Sequence, residues 1–283
     1  MKEEILKEQK NIAIQQIVDL GIKNFAEGFE LRYTAEVDDP EGVINSKKNN
    51  VFIAELGKEF MFYSAFVRSF DSSFGKVLEN IGNSIAKLSY EVRGRIDSYL
   101  LPQQTQHIDY LLAEYDRHVK PYIEDYENFS CVQPKNKESY FKSHETDNYF
   151  YNSDKKEHYI IELKAGGDLD NKKAKAEKSE LLQEYFLLKN KLLDTDENIS
   201  VFFATAYNKF GEGNNWKQER VQQFFADKEL LIGKEYWNFV CDDENGFDIV
   251  FEQYKISCQY IKDALERIKK LYFKTSDNDE SIN

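Results

Sequence analysis

The stretch that most restricts the fold runs from Glu145 to Lys173 and reads ETDNYFYNSDKKEHYIIELKAGGDLDNKK. Two segments rich in Tyr, Phe and Ile, Thr146 to Tyr151 and His158 to Lys164, flank a polar turn centred on Asp154 and Lys155, which predicts a β-hairpin. Side chains two apart in a strand share a side, so Tyr159, Ile161 and Leu163 make a core face while Glu162 and Lys164 make a charged one. A turn symmetric about the 154/155 bond sets Asp147 opposite Glu162, with Cβ atoms about 5 Å apart. Carboxylates that close repel each other unless a cation lies between them. The natural occupant is a hard divalent ion, and Mg²⁺ takes one or two carboxylates together with phosphate and water.

An Asp facing Glu-x-Lys is what phosphodiester hydrolysis asks for. The metal polarises the phosphate and lowers the pKa of a bound water, and Lys164 orients that water or offsets charge in the transition state. A Glu-x-Lys on a strand is more often only a solvated edge, so the rest of the chain has to carry the reading.

At 283 residues the chain can bury a sizeable core, as one domain or two closely joined ones. Charged residues are 31% and the mean hydropathy is -0.67, which suits a soluble protein. The start, MKEEILKEQK, has no signal-peptide core, and no apolar run is long enough to cross a bilayer. Cys131, Cys241 and Cys258 lie far apart without a CxxC pair, which argues against a zinc site or a disulfide framework and suits a reducing cytoplasm. The four histidines are scattered and expected to be surface or internally satisfied residues. The net charge of -13 runs against nucleic-acid binding, which rewards local positive potential. The potential inside a cleft is what counts, and acids on the far surface and in the DNDES tail can dominate the sum. An acidic protein acting on phosphodiesters would be expected to depend heavily on its metal and on low salt.

In chain order, Lys2 to Leu20 has helical spacing with Gly21 as a stop, and a second short helix covers Ile22 to Leu31. Val51 to Leu88 is helical with an interruption at Asp71-Ser72-Ser73, where Ser72 or Ser73 caps the second half. Glu79 then falls in that half's first two turns, either as a helix-surface acid or as a carboxylate aimed at the metal site. Tyr90 to Glu127 reads as mainly helical, broken at Pro102 and Pro121. After the hairpin, Asp168 or Asp170 caps a helix reaching about Leu193, with Ala174, Leu181, Tyr185, Leu188 and Leu192 as its buried stripe. Lys172, Lys173, Lys175 and Lys178 on its first half either hold a DNA backbone or form a solvated face. Ile199 to Ala206 is a continuous apolar run, typical of a strand covered on both sides, and a strand–helix–strand order implies a parallel crossover. Beyond a Gly211/Gly213 loop, a helix over Trp216 to Phe225 follows a cap at Asn214 or Asn215, and Asn214, Asn215, Lys217, Gln218 and Arg220 are types able to read base edges. Trp237 is a core residue, and a last helix from about Phe247 to Tyr272 precedes a disordered tail. The fold class is mixed α/β: a central mixed sheet flanked by helices, with a largely helical region 1–140, a core region 141–273 and the tail 274–283.

Asp147 followed by Glu162-Leu-Lys164 resembles the PD-(D/E)xK nuclease superfamily. A wider likeness lies in FVRSFDSSFGKVLENIG, YIIELKAGGDLDNKKAKAEK, ATAYNKFGEGNNWKQERVQQFF and ELLIGKEYWNFVC. In that order they resemble type II restriction endonucleases of the TdeIII family. The resemblance implies a cytoplasmic homodimer that cuts double-stranded DNA at a short palindromic site of the GGNCC type with Mg²⁺, beside a DNA methyltransferase encoded nearby. It places the metal carboxylates on Asp147 and Glu162, the lysine on Lys164 and a helical acid on Glu79. Thr146 stands where the superfamily has Pro, so the choice of Asp147 over Asp154 rests on the hairpin register. Two rival readings stand beside this one: a DNA-binding protein on an inactive nuclease scaffold, and a repair nuclease that reads DNA structure.

Overall fold

The computed structural model describes residues 2–132, 136 and 138–274, without the side chains of residues 2, 3, 147 and 274. The expected tail beyond residue 274 lies outside the described residues. The chain divides into two compact units, residues 1–81 with 248–283, and residues 82–247.

The first unit is built from long helices: α1 (Lys2–Glu36), the short α2 (Val51–Ala54), most of α3 (Lys58–Ala86) and nearly all of a C-terminal helix, Gly246–Lys274. Gly21 does not stop α1. A Cβ there would lie 2.7 Å from Ile81 Cγ1, so the glycine allows close approach to α3 and the helix runs through it. The expected break at residues 71–73 is also absent. Phe62, Phe66, Phe70 and Phe74 recur every fourth residue and stack, with Phe62–Phe66 and Phe70–Phe74 centroids both 5.3 Å apart, and this ladder holds the helix through the serines.

The second unit centres on a five-stranded sheet in sequence order: β1 (Glu91–Tyr99), β2 (Phe141–Asn152), β3 (Glu157–Lys164), β4 (Asn198–Thr205) and β5 (Leu230–Ile232). The first three strands are antiparallel and the last two run parallel to β3, as the crossover rule requires. The β2–β3 hairpin has the expected register, with Tyr149 opposite Ile160 and Tyr151 opposite His158. Asn152 Oδ1 accepts from the amides of Asp154 and Lys155 and shapes the turn. β1 was expected to be helical. Its Ile96 is fully buried and Ser98 nearly so, and pairing with β2 along its length overrides the helical reading. Pro102 starts the next helix, α4 (Pro102–Asp116), at a position where its missing N–H costs nothing.

Four more helices complete the fold: α5 (Glu124–Glu127), α6 (Asn171–Lys191), α7 (Glu219–Gln222) and α8 (Lys234–Cys241), with the C-terminal helix counted as α9. α6 begins at Asp170, whose side chain accepts from the Lys173 amide at 2.8 Å, so Asp170 and not Asp168 is the cap. Its Leu181, Leu182, Phe186, Leu187 and Leu188 are all buried against Ile96, Tyr149, Ile160 and Phe203, each contributing about 1.5–3 kcal/mol of apolar burial. The other sheet face carries Tyr159, which meets Phe239 of α8 at 4.9 Å edge to face. Both faces are therefore covered. The side of β3 that bears Glu162 and Lys164 is not a bare charged face, because Ile160 on it packs with α6 and His158 is buried beside Tyr149.

Candidate active site

The alternation of β3 delivers Glu162 and Lys164 to the same side at its C-terminal end, beyond the part that α6 seals. They pair with Phe203 and Thr205 of β4, and Thr205 is fully buried. Lys164 Nζ is 2.5 Å from Glu162 Oε1 and 3.0 Å from Glu177 Oε1, which comes from the second turn of α6. The two carboxylates are 15% and 17% exposed and the lysine 32%, so the group is partly desolvated and open on one side. Burial alone would lower the pKa of Lys164, but the Glu162 charge and hydrogen bonds to Glu162 and Glu177 outweigh it and raise it. The ammonium stays cationic at any physiological pH. It supplies charge and hydrogen-bond donors and is no general base.

Glu177 is a site residue that the sequence reading missed. The signal was present: three residues past Ala174 and four before Leu181, it occupies a turn of the buried stripe where periodicity calls for an apolar side chain. Lys178, expected with the surface lysines, turns inward instead. It is wholly buried, 2.5 Å from Glu229 Oε1, and lies 5.1 Å from the ring centroids of Tyr126 and Phe225. Tyr126 Oη donates to the same Glu229 at 2.8 Å, and the Ala226 amide donates to its other oxygen.

Asp147 lies within β2, where the ladder to β1 is irregular: Arg93 pairs with Tyr149 and Arg95 with Glu145, so Gly94 alone faces residues 146–148. Such a bulge re-aims side chains and is frequent beside active sites. The side chain of Asp147 lies outside the described residues. Asp154 is in the hairpin turn. Glu79 sits on α3 with Lys76 Nζ 2.5 Å from its carboxylate.

Past β3 the chain turns through Gly167 at φ 66°, where a Cβ would lie 2.6 Å from Thr205 Cγ2 and 3.2 Å from Trp216. Only glycine fits there. Asp168 is exposed, and its pKa is lowered by hydrogen bonds from Lys209 and then Gln218. Gln218 is buried in this contact, and Asn214 Nδ2 donates to Phe210 O within its own loop. Both amides are thus engaged internally. Asn215, Lys217 and Arg220 are exposed, the last on α7, which is shorter than expected, and Lys172 and Lys173 are exposed at the start of α6. Trp237 is core, with Nε1 donating to Ala206 O at 2.7 Å.

The donors at the end of β3 suit a hard cation. Glu162 offers carboxylate oxygens only at a partly desolvated strand end, and Mg²⁺ takes one or two such carboxylates beside phosphate and water. Among the described residues no group of three or more His, Cys, Asp or Glu is placed to hold a metal, the Asp147 side chain not being among them.

A mixed sheet whose second hairpin strand ends in Glu-x-Lys, followed by a helix and a parallel strand, is compatible with the restriction-endonuclease-like fold. The sequence assigns the chain within that class. The model of one family, described as "Type II restriction endonuclease, HinfI", matches residues 10–258, and the chain belongs to this family. Membership implies a site-specific DNA nuclease with DNA as substrate. The match is to HinfI, so the likeness to TdeIII enzymes stands at the level of the type II class. No curated protein and no solved structure matched.

Proposed function

We propose that the chain is a Mg²⁺-dependent endonuclease that cuts double-stranded DNA at a short palindrome, acting as a homodimer within a restriction-modification system. The observation that carries this is the Glu162–Lys164–Glu177 group at the end of β3, in a chain of a type II restriction endonuclease family. Glu162 and Asp147 are the residues to hold the ion, Asp147 because it lies two residues beyond Tyr149, where the hairpin register, if it were continued past the last pair Tyr149↔Ile160, would set it opposite Glu162. With magnesium bound there, the phosphate is polarised and the pKa of water beside it is lowered. Lys164 offsets charge that develops on the phosphoryl oxygens, and its firmly protonated state fits that task. The exposed Lys172 and Lys173 stand at the start of α6, where they can meet a backbone phosphate. A two-fold protein reads a two-fold site, which is the reason for the dimer. The net charge of -13 makes this activity strongly dependent on the ion and on low salt.

The test is incubation of the purified protein with plasmid DNA and Mg²⁺, followed by sequencing of the fragment ends. Discrete fragments with one end sequence are expected, and that sequence decides between the GGNCC-type site of the TdeIII likeness and another palindrome. Glu162→Ala should lower the cleavage rate by about 1000-fold or more while the protein still folds. Bound but uncut DNA from the wild type would favour a binding protein, and cutting only at branches a structure-specific nuclease.

A further inference from the structure

We propose that Glu177 is a positioning residue for DNA cleavage, fixing the Lys164 ammonium at the end of β3 through its direct ion pair. The role rests on the nuclease reading above. A lysine ammonium has three donors on a flexible four-carbon stem, and one ion pair leaves most of that freedom in place. Here two carboxylates from two different elements hold it, at 2.5 and 3.0 Å. On that reading Glu162 would be shared with the cation, and Glu177 would be the partner that keeps its hold on the lysine. With one donor on Glu177, the ammonium has donors left for a phosphoryl oxygen.

Glu177 is itself firmly mounted. Ala174, Lys178 and Leu181, one turn to either side and next to it, are at most 1% exposed, and Asp170 caps the same helix. This is not an ordinary surface pair between residues a helical turn apart. It links a strand to the helix that follows it, with Glu177 17% exposed. Holding a charged donor at fixed distance before the substrate arrives is how such groups lower a barrier, and a misplacement of about 1 Å is worth about 100-fold in rate.

The experiment is a double-mutant cycle on single-turnover plasmid cleavage at saturating Mg²⁺, with Glu177→Gln, Lys164→Met and the double variant. Glu177→Gln is expected to slow cleavage by about 10- to 100-fold, with DNA binding in Ca²⁺ unchanged. Lys164→Met is expected to slow it by about 1000-fold, and the double variant to match Lys164→Met within about threefold. Glu177→Asp, which keeps the charge, should recover part of the loss and stands in if Glu177→Gln melts early. Independent losses that multiply in the double variant of an active enzyme would overturn the role. So would a fall in Ca²⁺ affinity on Glu177→Gln as large as that of Glu162→Gln, which would make Glu177 a ligand. A wild type that cuts nothing removes the nuclease reading itself, and this role with it.

Discussion

Lys164 and Lys178 stand at opposite extremes of one design. Each is paired with glutamate at 2.5 Å, yet Lys164 is 32% exposed between two carboxylates and Lys178 is 0% exposed with one carboxylate and two aromatic rings. The difference in surroundings reverses the sign of the effect. Burial dominates at Lys178 and lowers its pKa against the pull of Glu229, whereas at Lys164 two acids overcome a smaller desolvation and raise it. A sealed pair fixes how α6 meets the turn that leads into β5. An open pair with an extra acid keeps charge within reach of a substrate.

Removing one partner should separate the two most sharply. Lys178→Met leaves Glu229 buried without its cation and is expected to cost about 3–5 kcal/mol, read as a fall in urea midpoint. The matching change Lys164→Met, at a site open on one side, should cost less, about 1–2 kcal/mol, even though cleavage is lost. Comparable destabilisation by both would erase the distinction. Next in size is the turn between them. Gly167→Ala forces a Cβ against Thr205 at a positive φ and should cost roughly 1–3 kcal/mol, with cleavage falling more steeply than stability because the turn follows directly on Lys164.

The smallest expected effect tests a third pair on the same helix. His144 Nε2 is 3.0 Å from Glu184, and the hydrogen bond to that acid raises the histidine pKa above its ordinary 6.5. A raised histidine contributes its full stabilisation below pH 6.5 and loses it as pH climbs through the raised value. The melting temperature should therefore decline on the alkaline side of 6.5, and His144→Gln should remove that part of the slope, an effect of about 1 kcal/mol or less after solvent screening. A slope that persists in the variant would assign it to other groups.

Much of the sheet could be read from the chain because its signals are local. The Asn152 turn sets the hairpin register, and the run from Ile199 to Ala206 reads as a buried parallel strand; both came out as expected. Glu162 and Lys164 follow from strand alternation alone, and their proximity in the structure agrees with it. The misses share one cause, which is contact between distant residues. Gly21 looks like a helix stop until Ile81 is placed beside it, and β1 looks helical until β2 supplies its ladder. Glu177 carries chemistry only through a lysine 13 positions back. Lys178 reads as a surface lysine until Glu229, 51 positions on, is brought to it.

Glu177 and Lys178 are consecutive residues, and the helix therefore sends them about 100° apart around its axis. Any twist of α6 that repositioned the first would drag the second out of its socket. The two ion pairs therefore hold α6 at one angle about its axis, and the edge at the end of β3 is set by the same packing that seals the core.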